Sequence, residues 1–445
     1  MRSNRFSRRA IAGILAAGTL ACSDWLTTPE AANNPNEPTD ATINQLFVAS
    51  QTSVSLQYSS DLARTACVWM QQCAGTERQY QELGLYRYGE DSYDAPFSLV
   101  YTGGGLIDIR HMQALADESG DKIYGGIGRV MEVLQVGLAA DIWGDIPYSE
   151  ALTATDPALD PQQEVYAALQ GKLDTAITFL TSSEGPGPGS VDLFYGGDGD
   201  KWLRLAHTLK ARYFMHVAER VGTGAYQSAL AQAQLGLHDA GDDFLAIADD
   251  NPNSYNPWYQ FTVIQRAGYM FAGAFLVDLL KQRNDPRLED YFLPNGLGEF
   301  VGANPGDQTS SVFSGFAVEA DPTIRQPIVT WQENQLIIAE AASRAGNASL
   351  ALTAVNSVRQ AAGLAPLGSA SLAQIIEEQY IVLFQNPEVW NLWKRSCMPA
   401  LTPAPGSTAI PGRLLYSAGE RNANANIPDP GAQPSRNWND PTGCT

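Results

Sequence analysis

The sequence predicts an all-α protein with extended irregular loops. Two observations carry this. Apolar residues recur at helical spacing through most of the chain, as in Val130, Val133, Leu134 and Leu138. Between such runs lie stretches rich in Gly, Pro and Asn, at 185–199, 249–260, 294–329 and beyond Met398, where regular helix is barred. With 445 residues and 44% hydrophobic content, the chain can bury a sizeable core. Its net charge of -20 repels nucleic acid and anionic membrane surfaces, and no basic patch follows the first ten residues. Nucleic acid is therefore not an expected partner.

Residues 1–21 read as a lipoprotein signal peptide. Arg2, Arg5, Arg8 and Arg9 precede the apolar run Ala10–Ala21, which is short for a membrane span. The run ends Leu20-Ala21-Cys22, which resembles a bacterial lipobox, and Cys22 would then be the acylated first residue. An ordinary signal peptide with an incidental cysteine is the alternative. Cleavage removes four arginines and no acid, which takes the side-chain charge from -20 to -24. Residues 22–40 then form a polar, Pro- and Asn-rich lipidated tether, and 41–445 a single domain. Export permits disulfides. Of the three pairings open to the remaining cysteines, Cys67–Cys73 and Cys397–Cys444 are favoured because each closes a local segment. Cys67 also sits in an apolar run and could be a buried thiol. The four histidines are scattered and make no metal motif.

Ile43 to about Gln72 reads as one long helix with a Ser/Thr-rich face. Residues 78–96 then place Tyr80, Tyr86, Tyr88 and Tyr93 among Arg78, Arg87, Glu90, Asp91 and Asp94. Rings cover the C–H face of a pyranose while charged and amide groups hold its hydroxyls, so this is saccharide-binding chemistry. Trp69, Tyr80, Tyr86 and Arg87 are the candidates here; the plainer reading is that such rings roof a helical core. Helices follow over 99–120 and 123–140.

Asp141 to Leu152, DIWGDIPYSEAL, is a specified turn at a helix exit. Gly144 can adopt angles closed to other residues, Pro147 stops helix hydrogen bonding, and Trp143 and Tyr148 supply packing. Asp141 and Asp145 are four apart and could share a face. A glycoside hydrolase needs two carboxyls set across a bond. Acids at a helix exit are more often capping groups, so Asp141, Trp143, Gly144, Asp145, Pro147 and Tyr148 are read as a structural motif.

Asp160-Pro161 opens a helix through Leu180 with a cap followed by Pro. Asp198 and Asp200 end the loop 185–199 as an acidic turn, since the calcium-loop pattern is absent. Trp202–Val217 and the alanine-rich Ala225–Leu235 read as helices. DDNPNSYNPWYQ, Asp249–Gln260, sets Tyr255, Trp258 and Tyr259 among asparagines and is the second candidate ligand loop. Trp258 could equally anchor that loop in the core. Tyr269–Lys281 reads as helix, and helices near 331–345, 349–362 and 371–384 close the core. The Pro/Gly/Asn-rich tail is expected on the surface, held by packing and by Cys444.

Six stretches carry a family resemblance. Asp141–Leu152 resembles the D-x-W-G-D-hydrophobic-P-Y-x-E-A hallmark of the SusD/RagB family. Lys201–Arg212 resembles its K-W-x-x-x-A-N-S-L-x-x-R helix, with His207 and Thr208 as departures. Glu333–Ala345 and Ala354–Leu364 resemble its AEA and N-x-x-R-x-x-A-G-L helices. Ile376–Gln379 and Leu392–Arg395 match loosely, with Gln379 and Trp393 departing. The resemblance implies an all-helical core of tetratricopeptide-like helix pairs. It also implies a surface-exposed outer-membrane lipoprotein without enzymatic activity or cofactor. Such a protein would capture oligosaccharides, or in some branches peptides, and pass them to a SusC-like TonB-dependent transporter. A purely structural helical scaffold is the remaining alternative.

Overall fold

The computed structural model describes residues 41–440, 443 and 444. The expected signal peptide, the expected acylation site Cys22 and the expected tether lie outside the described residues. The chain opens with α1 (Ile43–Ser59) and α2 (Asp61–Trp69) rather than one long helix. Ser59 and Ser60 hydroxyls bond back to the carbonyls of Ser55 and Leu56, both at 2.6 Å, competing with the backbone ladder where the helix breaks. The polar face of α1 is buried yet satisfied: Gln57 donates to Pro96 O at 2.7 Å and Gln51 to Val191 O at 3.0 Å.

Next come β1 (Cys73–Gly75), α3 (Arg78–Gly84), α4 (Asp94–Tyr101) and α5 (Leu106–Ser119). The helix expected over 99–120 is split by Gly103-Gly104-Gly105. At Gly104, φ is +91° and a Cβ would lie 2.2 Å from Ala49 O, so the chain can pass α1 only as glycine.

The scaffold is a succession of packed helix pairs. α6 (Lys122–Trp143) lies between α5 and α7 (Gln162–Ser182), and α8 (Gly199–Val221) packs on α7 and on α9 (Thr223–Ala233). Nearly all of α6 from Tyr124 onward is buried. Its glycines make this possible: a Cβ at Gly126 would sit 2.7 Å from Leu180, and one at Gly137 1.9 Å from Tyr213 Oη. β2 (Phe244–Leu245), β3 (Met270–Ala272), α10 (Ala274–Arg283), α11 (Arg287–Tyr291) and β4 (Pro327–Val329) follow. The helix expected from Tyr269 thus begins instead as strand. Among the described residues, β structure amounts to two short antiparallel ladders, β1–β3 and β2–β4, and isolated bridges.

α12 (Trp331–Arg344), α13 (Ala348–Ala361) and α14 (Leu372–Val382) complete the helix pairs. A core of Ala211, Ala229, Leu336, Ala339, Val355 and Ile375 joins them to α8 and α9. Small residues let these backbones approach closely. α15 (Glu388–Ser396) and α16 (Ala418–Ala423) finish the helices, so the fold is all-α in class. Among the described residues no helix is long and apolar enough to cross a membrane.

The tail departs most from expectation. Packing and Cys444 hold it, as expected, but much of it is interior and not on the surface. Leu414, Tyr416, Asn437 and Asn439 are buried. Leu414 N donates to Ile142 O at 3.0 Å, Trp143 Nε1 to Leu415 O at 3.0 Å, and Tyr416 Oη to Asp145 O at 2.5 Å. Disulfides join Cys67 to Cys73 and Cys397 to Cys444.

Candidate functional site

A cleft of about 520 Å³ is built where β1 meets β3. The register pairs Cys73 with Ala272, Ala74 with Phe271 and Gly75 with Met270, and Thr76 N continues the ladder to Tyr269 O at 2.9 Å. Because the strands are antiparallel, the chain leaving β1 into α3 and the chain entering β3 from 260–269 emerge at the same end. They face each other with α2 alongside.

The cleft floor is buried. Tyr80 and Phe261 have ring centroids 4.6 Å apart, and the Arg64 guanidinium lies 4.4 Å over the Phe261 ring. Arg64 is only 5% exposed; it donates to Tyr80 Oη at 2.7 Å and to Asp61 Oδ1 at 2.5 Å. Thr65 and Tyr93 hydroxyls share a 2.8 Å hydrogen bond below. Tyr88 is half-buried, donates to Arg413 O at 3.1 Å, and has its phenol pushed up to about 12 by burial.

The rim is polar and of both signs. Asp61, Gln79, Glu82, Arg87, Gln265 and Arg266 line it and are exposed or half-exposed. Arg87 pairs with Glu82 at 3.1 Å. Arg266 has no carboxylate partner among the described residues; its guanidinium lies 5.8 Å from the Tyr269 ring centroid. Aromatic surface below and donors and acceptors above suit a ligand with an apolar face and many hydroxyls.

A family model described as SusD-like, starch-binding and associating with the outer membrane, matches residues 35–356. The chain belongs to this SusD-like family. A SusD/RagB family protein of Bacteroides thetaiotaomicron superposes with a TM-score of 0.76 at 21% identity, covering 90% of this chain and 99% of that one. A chitin-binding protein gives a TM-score of 0.76 at 24% identity, with 90% and 100% covered. A chitin-binding SusD homolog of Flavobacterium johnsoniae gives 0.74 at 18%, with 90% and 99% covered. These likenesses fix the fold. No curated protein matches the chain. Within the SusD-like family the chain is a non-catalytic binding protein with a nutrient-capture role at the outer membrane.

Apart from the exposed Asp145, the named residues of the SusD-like turn are interior struts. Asp141 is 2% exposed; its carboxylate accepts from Tyr166 Oη at 2.5 Å and lies 2.9 Å from His216 Nδ1. His216 Nε2 lies 2.7 Å from Glu388. Burial alone would lower the His216 pKa, but the flanking Asp141 and Glu388 charges reverse this and raise it to about 9. Glu388, which burial would raise, is held at about 2 by His216 and Arg212. Arg212 forms a fork on Glu333 at 2.7 and 2.6 Å, and Arg395 one on Glu340 at 2.6 and 2.7 Å. Gln379, a departure from the family pattern, donates to Glu340 at 2.8 Å and accepts from Arg395 at 3.1 Å. Thr208 accepts from Leu237 N at 2.9 Å and donates to Asn334 at 3.1 Å. Asp141 is bonded inside the core, so it cannot face a glycosidic bond together with the exposed Asp145.

The sequence-predicted site residues divide. Arg87 is on the cleft rim and Tyr80 is its buried floor, 7% exposed. Trp69 is fully buried beneath, its ring against Tyr86, Tyr88 and Trp390 and its Nε1 donating to Leu83 O at 2.9 Å. Trp258 is also fully buried, packed on Phe316 at 5.6 Å. These two rings are core anchors, not ligand contacts; aromatic bulk beside polar loops does not by itself reveal which side of the backbone faces water. Tyr86 holds a left-handed φ of +62° just past α3, and its Oη accepts from Ala404 N at 3.1 Å. Its turn, closed by Arg87 N to Glu82 O at 2.9 Å, carries Arg87 and Tyr88 to the cleft. Tyr255 and Tyr259 are half-buried, with rings 5.4 Å apart, and do not line the cleft. Sequence reading missed Arg64, Phe261, Gln265 and Arg266. Arg64 is hidden inside a helical run, and the other three follow the loop that drew attention.

Proposed function

We propose that this SusD-like protein is a Cys22-anchored outer-membrane lipoprotein facing the outside. In this reading it captures oligosaccharides in the β1–β3 cleft and delivers them to a SusC-like TonB-dependent transporter. The observation that carries the ligand class is the cleft's composition: a buried Tyr80–Phe261–Arg64 floor under a rim of amides and both charge signs. Aromatic rings with amide and charged side chains recognise sugars, and a rim of mixed sign does not select for charge. Tyr255 and Tyr259, on the loop leading to Phe261, would meet longer chains. Two structural neighbours are chitin-binding proteins, which puts chitooligosaccharides first among the glycans to test.

Calorimetry on the purified lipoprotein with chitooligosaccharides, starch fragments and peptides tests this. Arg266→Ala and Tyr88→Ala should each weaken glycan binding about tenfold, the size of a ~1.4 kcal/mol contact. Affinity for peptides alone would replace the glycan reading with the peptide one. The anchor is tested separately by palmitate labelling and fractionation. A C22A precursor that still labels and still pellets with the outer membrane would refute it.

A further inference from the structure

A second cavity, about 390 Å³, shares no lining residue with the cleft. It is walled by α4, the turn 147–157 and α16. Its reachable apolar surface is Tyr101 and Pro157, both half-buried, with Leu152 and Ala423 exposed at the rim. Phe97 is buried behind Tyr101, their ring centroids 5.5 Å apart. Leu152 is held at a left-handed φ of +70°, an angle that a bulky side chain adopts only at a cost, and is 43% exposed. A concave, largely apolar surface of this volume is of the size that takes a small ligand.

The charges in the wall are of one sign. Asp94 and Glu420 both line the cavity and are both half-buried, so they meet it from accessible positions. Asp94 Oδ1 accepts from Ser417 Oγ at 2.6 Å and from Gly419 N at 3.3 Å, and Glu420 Oε1 accepts from Asn424 Nδ2 at 3.1 Å. Among the described residues the second oxygen of each carboxylate has no hydrogen-bond partner, and neither carboxylate makes an ion pair. No Lys, Arg or His lines this cavity, whereas Arg64, Arg87 and Arg266 line the cleft. Arg421, next in sequence to Glu420, is engaged by Glu90 at 2.7 Å, and Arg110 donates to Tyr148 O at 3.0 Å. Burial first and the Glu420 charge second lift the Tyr101 phenol well above its usual range, so it stays neutral; its hydroxyl donates to Pro147 O at 3.0 Å. A neutral ring beside two carboxylates attracts a cation.

From this apolar-walled cavity, with two carboxylates and no cation of its own, we propose a second ligand site that takes a small organic cation, a primary ammonium on an aliphatic or aromatic stem. The ammonium donates to the open oxygens of Asp94 and Glu420, and the stem lies against Tyr101, Leu152 and Pro157. What the wall leaves unmet is charge, which sets this ligand apart from the one given to the cleft. The two sites are independent.

Calorimetry on the purified lipoprotein with phenethylamine and cadaverine, against the neutral phenethyl alcohol, tests the site. Both amines should bind with dissociation constants of about 1 mM, the alcohol should bind about tenfold more weakly, and added salt should weaken only the amines. Glu420→Gln and Asp94→Asn keep the oxygens that Asn424 and Ser417 use. Each should weaken amine binding about threefold, and the two together about tenfold. Leu152→Gly removes the rim side chain together with its left-handed cost, so amine binding should weaken while the melting temperature holds or rises. Arg266→Ala should leave amine binding unchanged. Crystals soaked with phenethylamine should place its nitrogen within hydrogen-bond distance of Asp94 or Glu420. Amine affinity unchanged in both the double variant and Leu152→Gly overturns the proposal, as does phenethyl alcohol binding as tightly as the amine. Density in soaked crystals without binding in solution marks an adventitious additive only and also overturns it. A cleft that binds no glycan while the amines still bind refutes the first reading and leaves this one standing.

Discussion

Asp145 and Asp160 cap each other's segment across the junction between α6 and α7. Asp145 Oδ1 accepts from Gln162 N at 2.8 Å, at the start of α7. Asp160 Oδ2 accepts from Tyr148 N and Ser149 N, both at 2.9 Å, in the turn that Asp145 begins. Between them Ile146 and Asp160 exchange two backbone bonds, at 3.2 and 2.9 Å. Asp160 therefore does not cap the helix it precedes, as its place before Pro161 suggests; it organises the preceding turn. Asp145→Ala and Asp160→Ala should each destabilise the protein by about 1–2 kcal/mol, the cost of a lost cap. Because both close one loop, the double variant should lose less than the sum. Denaturant unfolding of the three variants measures this; strict additivity would show that the two caps are independent.

What the sequence reveals follows from the range of the interactions. The turn at Trp143, Gly144 and Pro147 is legible because its determinants are adjacent, and helix periods survive in any window. The cleft is not legible, because β1 and β3 are three residues each and nearly two hundred positions apart, too short to carry an alternation. Arg64 reads as one more residue of a helix until Phe261 is brought over it. The tail shows no period because it is held by single hydrogen bonds, such as Asn437 Nδ2 to Asp141 O at 2.7 Å, rather than by a repeating face. The family motifs fare differently. Their charged members, Arg212 with Glu333 and Arg395 with Glu340, are partners more than fifty residues apart, so the resemblance located them while the pattern alone could not pair them.

Gly75 controls the cleft from below. A Cβ there would stand 1.9 Å from the Tyr80 carbonyl oxygen, a backbone atom with no room to yield. Gly75→Ala must push α3 away from β1, carrying Tyr80 and the turn that presents Arg87 and Tyr88. A loss of about 1–3 kcal/mol in stability is expected, as for other overpacked sites, together with weakened ligand binding. Thermal unfolding and calorimetry on the same preparation check both. Native stability with native affinity would show that the backbone absorbs the methyl.

Trp258 separates packing from contact. It is fully buried, and its Nε1 has no partner. Trp258→Ala should cost about 3–5 kcal/mol, as for large aromatic truncations in cores. Trp258→Phe, which keeps a ring against Phe316 and gives up only an unbonded N–H, should be far milder and should bind glycan within about twofold of the parent. If Trp258→Phe lost affinity as Arg266→Ala does, while keeping its melting temperature, the ring would have to reach ligand.

His216 gives the pH dependence. Its pKa is raised to about 9 between Asp141 and Glu388, whereas burial lowers that of His207 below 6.5. A group whose folded pKa is raised contributes stability that is complete below its unfolded value and is lost as pH climbs through the folded one. For His216 that window runs from 6.5 to about 9. Between pH 6.5 and 8 the folded imidazolium alone should lose about 2 kcal/mol of its contribution, at ~1.4 kcal/mol per pH unit. Above pH 8 Lys394 opposes this. Burial lowers its pKa to about 8, so its charged-form cost is relieved as pH rises from 8 toward 10.5. Imidazole NMR across pH 5–10 is the direct check. His216 should still be protonated at pH 8 when His207 is neutral, and the resonance should vanish in His216→Gln. A His216 that loses its proton near 6.5 would mean that the two carboxylates do not hold a charge between them.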